Sequence, residues 1–142
     1  MEQRFLDFLP FIFEWEGTTY ENDPDDPGGA TKFGIDQRSH PGVDIENLTE
    51  DQATDIYWAE WQSDGCESKG SPFAEVFFNC AVNMGLGRAK QFDAEVVDED
   101  ASGFLDIQEN YYRQLSSNHK NFQKYLHGWL NRTNALRQRF SL

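Results

Sequence analysis

Three oxygen-bearing side chains near the amino terminus have the types and spacing needed for acid–base chemistry on a sugar. Glu16 ends an apolar helical pattern beside Trp15, Asp25 follows nine positions later, and Thr31 follows six positions after that. Partial burial favours the neutral form of a carboxyl group, which is the form that a general acid needs. Such a glutamic acid can protonate a glycosidic oxygen while an aspartate and a hydroxyl position the attacking water.

Both carboxyl groups also have an ordinary structural interpretation. A glutamate at a helix end is commonly solvated, and the run of Asp, Pro and Gly from Asp23 to Gly29 is typical of a turn. Residue types and spacing alone therefore leave the catalytic and the structural interpretations open.

Other chemistries lack the residues that they require. His40, His119 and His127 are scattered without the spacing of zinc ligands, and Cys66 and Cys80 lie too far apart in the chain for a chelating pair. The acidic loop lacks the distal glutamate of an EF-hand. The sequence therefore predicts no metal and no cofactor, and the helical pattern around Cys80 predicts a buried free thiol.

The elements that must position these side chains are mostly helices, because apolar residues recur at helical spacing along the chain. The predicted helices run from Gln3 to Trp15, from the capping box of Thr49 and Gln52 to about Gln62, from Ser71 to Gly85, from Arg88 to Val97, from Phe104 to Leu115, and from Phe122 to about Arg139 with a break near Gly128. The segment from Thr18 to Pro41 is rich in turn residues, with a short strand predicted from Ala30 to Ile35. We expect one mainly α domain over residues 1–142, with a long irregular or β-hairpin loop region after the first helix.

Charge and composition exclude several classes of partner. Twelve Lys and Arg residues against twenty-five Asp and Glu residues give a formal charge of −13, the wrong sign for a nucleic acid or an anionic membrane. Apolar stretches such as Phe11-Ile12-Phe13 and Val76-Phe77-Phe78 are far shorter than the roughly 20 residues that cross a bilayer. We expect no nucleic-acid partner and no membrane insertion.

Three sequence blocks resemble one family of glycoside hydrolases. The first is Glu16-Gly17-Thr18-Thr19-Tyr20 followed by the run from Asn22 to Ile35, which reads Asn-Asp-Pro-Asp-Asp-Pro-Gly-Gly-Ala-Thr-Lys-Phe-Gly-Ile. The second runs from Phe78 to Gly85, and the third is Gly-Trp-Leu-Asn-Arg from Gly128 to Arg132. These blocks are similar to motifs of the glycoside hydrolase family 108 muramidases, in the same order. The resemblance implies a lysozyme-like helical fold.

The resemblance also implies roles at the site. Glu16 matches the family's catalytic glutamate. The spacing of Glu16, Asp25 and Thr31 is similar to the Glu, Asp, Thr arrangement of phage lysozymes of the bacteriophage T4 type. That similarity implies an inverting mechanism in which Glu16 donates the proton while Asp25 and Thr31 hold the attacking water. Asp26 is the alternative to Asp25 and a candidate for substrate binding.

Three further side chains are candidates for substrate binding. Tyr20 and Phe33 have rings that could stack on sugar faces, although aromatic residues are commonly part of the core. The amide of Asn83 could bond the N-acetyl or hydroxyl groups of a sugar, or it could cap the helix that ends before Gly85.

The chain departs from the family pattern at three places. Thr18 and Thr19 stand where the family usually has a single second glycine, so the loop geometry beside Glu16 can differ. Asn79 replaces the usual aspartate, so a neutral amide makes whatever hydrogen bond that position makes. The acidic segment from Ala94 to Gly103 lacks a motif that many relatives carry, which predicts a trimmed helical lobe.

The function implied by the resemblance is hydrolysis of the β-1,4 bond between N-acetylmuramic acid and N-acetylglucosamine in peptidoglycan glycan strands. We expect a monomer that is made in the cytoplasm without a signal peptide. It would act on the cell wall after holin-type release or specialised secretion, as a phage endolysin does. The alternatives are a chitosanase-like glycosidase and an inactive lysozyme-like module that binds a glycan or a partner.

Overall fold

The computed structural model describes all 142 residues, and the chain divides into two compact units, residues 1–63 and residues 64–142. Six α-helices and one two-stranded antiparallel sheet make the fold mainly α, which confirms the predicted class. The assignment of one catalytic domain to residues 1–142 stays a prediction.

The first unit contains α1 (Gln3–Glu16), β1 (Thr31–Lys32), β2 (Ile35–Asp36) and α2 (Glu50–Ser63). The second unit contains α3 (Phe73–Met84), α4 (Leu86–Asp93), α5 (Ala101–Asn118) and α6 (Gln123–Phe140), with short 3-10 turns at Cys66–Ser68 and Lys120–Phe122. No helix is long and apolar enough to cross a membrane.

Helix α1 is held in place by its apolar side chains. Six of them are buried, namely Phe5, Phe8, Leu9, Phe11, Ile12 and Phe13. Pro10 lies inside the helix at an exposed position and removes one backbone donor. The helix continues to Glu16 because burying each large apolar side chain stabilises it by about 1.5–3 kcal/mol, more than one lost hydrogen bond.

The segment after α1 contains a β-hairpin, which confirms the expected hairpin region, but the run from Ala30 to Ile35 holds parts of two strands and not the one short strand predicted there. Strand β1 pairs with β2 in antiparallel register, with Thr31 opposite Asp36 and Lys32 opposite Ile35. The chain reverses at Phe33 and Gly34, whose φ angles are 56° and 78°. Alternating apolar residues cannot distinguish one strand from two strands separated by a tight turn.

Helix α2 begins at the predicted capping box. The Thr49 hydroxyl accepts a hydrogen bond from the Gln52 amide at 3.1 Å, and the Gln52 side chain accepts one from the Thr49 amide at 3.0 Å. Further along, the rings of Trp58 and Trp61 lie 5.2 and 5.6 Å from the ring of Phe5 on α1. These aromatic contacts pack α1 against α2.

Helix α3 is the most buried element of the second unit. All eight residues from Phe73 to Cys80 are buried, and Gly85 ends the helix as predicted. The Phe104 ring of α5 lies 5.7 Å from Phe73 and 5.8 Å from the Phe92 ring of α4, both edge to face. Phenylalanine rings from three helices therefore form the core of this unit.

The helices at the carboxyl end depart from their predicted limits. Helix α5 starts three residues early, because the Asp100 carboxylate caps it by accepting a hydrogen bond from the Gly103 amide at 2.9 Å. Helix α6 runs unbroken through Gly128, so the predicted break was wrong. An exposed glycine in a helix costs about 1 kcal/mol, which the flanking helical turns outweigh.

One buried polar pair lies between α3 and α6. The side chain of Arg132 is buried, and its Nε donates to the Oδ1 of Asn79 at 2.8 Å. The Nδ2 of Asn79 is also buried and has no acceptor. The neutral side-chain amide of Asn79 is therefore a hydrogen-bond partner of the buried Arg132 guanidinium.

Asn79→Ala tests this pair. It removes the acceptor of a buried, charged donor, so we expect the free energy of unfolding to fall by about 1–3 kcal/mol in urea titration. Gln91→Ala removes the acceptor of an exposed hydrogen bond from Arg88 and should change stability by less than about 0.5 kcal/mol. Equal effects of the two variants would contradict the structural role given to Asn79.

Both cysteines are buried free thiols, as predicted for Cys80. Desolvation raises the pKa of the Cys80 thiol to about 12, although the positive charges of Arg88 and Arg132 favour the thiolate. Its thiolate fraction near neutral pH is therefore very small.

Alkylation with iodoacetamide tests the raised pKa and the burial of the Cys80 thiol. Because the pKa is about 12 in the fold against 9.0 for the free group, the thiolate fraction at pH 8 is roughly a thousandfold lower in the folded protein. We expect iodoacetamide to modify Cys80 only after denaturation, as followed by mass spectrometry of its peptide. Rapid modification in the native protein would contradict the burial of this thiol.

Candidate active site

Glu16 lies at the end of α1 and is half-buried. The helix ends there because Gly17 has a φ of 86° while its amide still donates to the Phe13 carbonyl at 2.8 Å. Glycine adopts this φ without strain, so the chain can leave the helix directly after Glu16. The carbonyl groups at a helix carboxyl end carry partial negative charge, which opposes a carboxylate at this position.

The turn of the β1–β2 hairpin lies directly against the Glu16 side chain. A Cβ atom built at Gly34 would lie 2.8 Å from the Glu16 Cβ and 2.6 Å from the Tyr57 hydroxyl oxygen. Both distances are shorter than real Cβ contacts, so only glycine fits between α1 and α2 at this point. The positive φ of Gly34 independently favours glycine.

Tyr57 of α2 fixes the hairpin from the other side. Its buried hydroxyl donates to the Phe33 carbonyl at 2.7 Å. The Phe33 ring is also buried, with its centroid 5.4 Å from the Phe13 ring of α1. Backbone and side chain of the turn are thus both fixed, which places the hairpin beside Glu16.

A small polar pocket opens at this junction within the first unit. Its volume is about 250 Å³, and its lining residues are Glu16, Gly17, Thr19, Glu21, Thr31, Lys32 and Gly34. The pocket therefore combines two carboxyl groups with two hydroxyl groups. These are the groups that acid–base hydrolysis requires.

The first unit also holds a larger groove of about 580 Å³ that does not include Glu16. Apolar side chains such as Leu6, Leu9 and Phe13 form much of its lining, together with Glu14 and Glu50. The groove also carries carboxyl and hydroxyl groups, from Glu14, Glu50, Thr18 and Thr54, so these groups alone do not distinguish the two cavities. The smaller pocket is the better candidate for an active site because it holds Glu16, the glutamate that matches the family motif.

The structure brings two of the three predicted catalytic residues together. Glu16 and Thr31 line the same pocket. Asp25 and Asp26 are exposed and do not line it. The Asp26 carboxylate instead accepts a hydrogen bond from the Gly28 amide at 2.8 Å, which stabilises the turn.

The predicted substrate-binding residues have diverse positions. Tyr20 is half-buried between two pocket-lining neighbours in the chain, whereas the Phe33 ring belongs to the core. Asn83 lies in the second unit, where its Oδ1 accepts a hydrogen bond from the Tyr112 hydroxyl. That hydroxyl accepts in turn from Gln108 at 2.9 Å. The network fixes the orientation of the Asn83 amide.

Sequence reasoning missed Glu21. Its backbone pairs with Thr31 in an antiparallel bridge, through Glu21 N to Thr31 O at 2.9 Å and Thr31 N to Glu21 O at 2.8 Å. The signal was present, because the two residues flank the turn-rich run from Asp23 to Gly29 almost symmetrically. Local sequence patterns do not specify which residues pair across such a run.

No cluster of three or more His, Cys, Asp or Glu side chains that could hold a metal ion is present.

A solved structure shares the fold of this chain. Among solved structures, SagA from Brucella abortus matches with a TM-score of 0.75 and 24% identity, over 96% of this chain and 92% of that chain. At this identity the likeness concerns the fold, which is lysozyme-like. No curated protein matches the chain.

The family follows from the sequence itself. The profile described as glycosyl hydrolase 108 matches residues 9–85, which include every residue that lines the polar pocket. The chain belongs to the glycosyl hydrolase 108 family, and it is a glycoside hydrolase. The resemblance stated from its motifs is confirmed.

Gly34→Ala tests the contact that places the hairpin beside Glu16. The added methyl group meets a positive φ and overlaps Glu16 and Tyr57, so we expect a loss of about 2 kcal/mol or more in the free energy of unfolding. Gly128→Ala is the matched control, because nothing lies within 4 Å of its Cβ position in α6. That control should stabilise the protein by up to about 1 kcal/mol. A neutral Gly34→Ala would show that the turn is not tightly packed.

Proposed function

We propose that this protein is a peptidoglycan muramidase that hydrolyses the β-1,4 bond between N-acetylmuramic acid and N-acetylglucosamine. Membership of the glycosyl hydrolase 108 family supports the substrate class. The observation that carries the proposal is the placement of Glu16 and Thr31 in one polar pocket at the end of α1.

In this proposal Glu16 acts as the general acid. Its protonated carboxyl group donates to the glycosidic oxygen as the bond to the sugar carbon breaks, while the ring develops oxocarbenium character. The hydroxyl of Thr31 holds the water that attacks the opposite face of the sugar, so the reaction inverts the anomeric configuration. Asp25 stays a sequence-based candidate for the second carboxylate.

The setting of the reaction belongs to the same proposal. A muramidase acts on glycan strands of the cell wall, and we propose that this chain reaches them by holin-type release or specialised secretion. Phage endolysins reach the cell wall by holin-type release. We propose that it acts as a monomer, since one chain carries both Glu16 and Thr31.

Two observations favour alternative functions. A formal charge of −13 and a second carboxyl group in the pocket would suit a cationic glycan, which favours a chitosanase. Thr19 lines the pocket near the position where the family has a small glycine, which favours a narrowed and inactive site that only binds glycan.

Glu16→Gln separates these functions. The variant preserves the shape of the side chain and removes its proton, so we expect release of reducing ends from purified murein to fall by about 10²–10⁴-fold. Glu14→Gln is the matched control, because Glu14 is exposed two positions earlier on α1 and does not line the polar pocket. Its activity should stay within about twofold of the parent protein.

The same assay on chitosan completes the test. Cleavage of murein but not chitosan supports the muramidase, whereas the reverse preference identifies a chitosanase. Binding of murein without release of reducing ends would identify an inactive module. Unchanged lysis by Glu16→Gln would overturn the role of Glu16.

A further inference from the structure

The polar pocket contains a carboxyl group that neither the motif nor the spacing argument identified. Glu21 is bridged to Thr31 by two backbone hydrogen bonds. Two residues that exchange both hydrogen bonds in an antiparallel pair have Cα atoms about 5.5 Å apart and direct their side chains to the same face. Glu21 and Thr31 therefore present a carboxylate and a hydroxyl side by side, and both line the pocket that holds Glu16.

The Glu21 carboxylate is available for chemistry. Its side chain is exposed, accepts no hydrogen bond and forms no ion pair within the protein. The ammonium group of Lys32, which also lines the pocket, instead donates to the Glu46 carbonyl at 3.2 Å. The Glu21 oxygens are free to accept hydrogen bonds from water.

The aspartates of the neighbouring turn either accept hydrogen bonds from the turn backbone or lie outside the pocket. The Asp23 carboxylate accepts from the Asp25 amide at 2.9 Å, and the Asp26 carboxylate accepts from the Gly28 amide. Asp25 is exposed on the turn and does not line the pocket. In this first unit Glu21 is the carboxyl group that shares the pocket with Glu16.

We propose that Glu21 is the general base of the reaction and that, together with Thr31, it binds the attacking water. This proposal rests on the muramidase function proposed above and replaces Asp25 with Glu21 as the second carboxylate. The backbone bridge holds Glu21 next to Thr31, so its carboxylate can reach water bound by the hydroxyl, whereas no backbone pairing of this kind joins Asp25 to Thr31.

The proton balance of the step is complete. The water oxygen forms a bond to the anomeric carbon as the glycosidic bond breaks, and the leaving oxygen takes the proton of Glu16. The water gives one proton to the Glu21 carboxylate and leaves its hydroxyl on the sugar. Exchange with solvent then returns a proton to Glu16 and removes one from Glu21. No oxidant, reductant or cofactor enters.

The first experiment compares Glu21→Gln, Asp25→Asn, Glu16→Gln and the control Glu46→Gln on solubilised glycan strands. Glu46 is exposed in the same unit and does not line the pocket. We expect Glu21→Gln to lower kcat by about 10²–10⁴-fold with little change in KM, because a base acts in the chemical step. Its unfolding curve should match that of the parent protein, since the bridge uses backbone atoms.

The second experiment asks whether Glu21 acts on the water itself. Sodium azide is a nucleophile that needs no base, and the Glu21→Ala substitution creates room for it in the pocket. We expect azide to restore turnover at least tenfold and to yield an α-glycosyl azide, which mass spectrometry and NMR would identify. A merely structural role for Glu21 would not produce this adduct.

The outcomes separate this inference from the proposed function. If Glu16→Gln is inactive while Glu21→Gln keeps more than a third of kcat, the inference fails and the muramidase stands. Loss of activity in Glu21→Ala without formation of the azide also overturns the role of Glu21. An active Glu16→Gln overturns the proposed general acid, whatever Glu21 does.

Discussion

The close approach of Gly34 to Glu16 and Tyr57 is the constraint on which the pocket depends. A hairpin turn that lacks a side chain at this one position can lie against the last residue of α1. The hydrogen bond from Tyr57 to the Phe33 carbonyl keeps the turn there. Without this contact, Thr31 and Glu21 would have no fixed position relative to Glu16, although all three would still belong to the same segment of the chain.

The first unit combines an aromatic core with a polar surface. Helices α1 and α2 bury large aromatic side chains against each other, and the strained turn is attached to that core through Phe33. The carboxyl and hydroxyl groups lie on the outer side, where a glycan and water can reach them. Stability and chemistry therefore use different faces of the same short segment, so a change in the pocket need not disturb the core.

The second unit follows a different principle, since its central helix α3 is buried almost throughout. Most buried polar side chains in proteins have at least one hydrogen-bond partner. Arg132 donates to Asn79, and Gln108, Tyr112 and Asn83 form a connected series of hydrogen bonds. Asn79 accepts this one hydrogen bond through its side-chain oxygen, and its amide nitrogen has no acceptor.

The sequence by itself determined the helical class, the family, the capping box of α2 and the ends of α1 and α3, because local periodicity, capping side chains and glycine act over a few residues. It also predicted Glu16 and Thr31 as site residues from a local motif, and both line one pocket. It misjudged Gly128 and the strand at Ala30 to Ile35, where neighbouring structure outweighs local preference. Only the tertiary structure decided which carboxyl group accompanies Glu16, because the pairing of Glu21 with Thr31 joins residues across a turn, and no periodicity within either segment encodes that register.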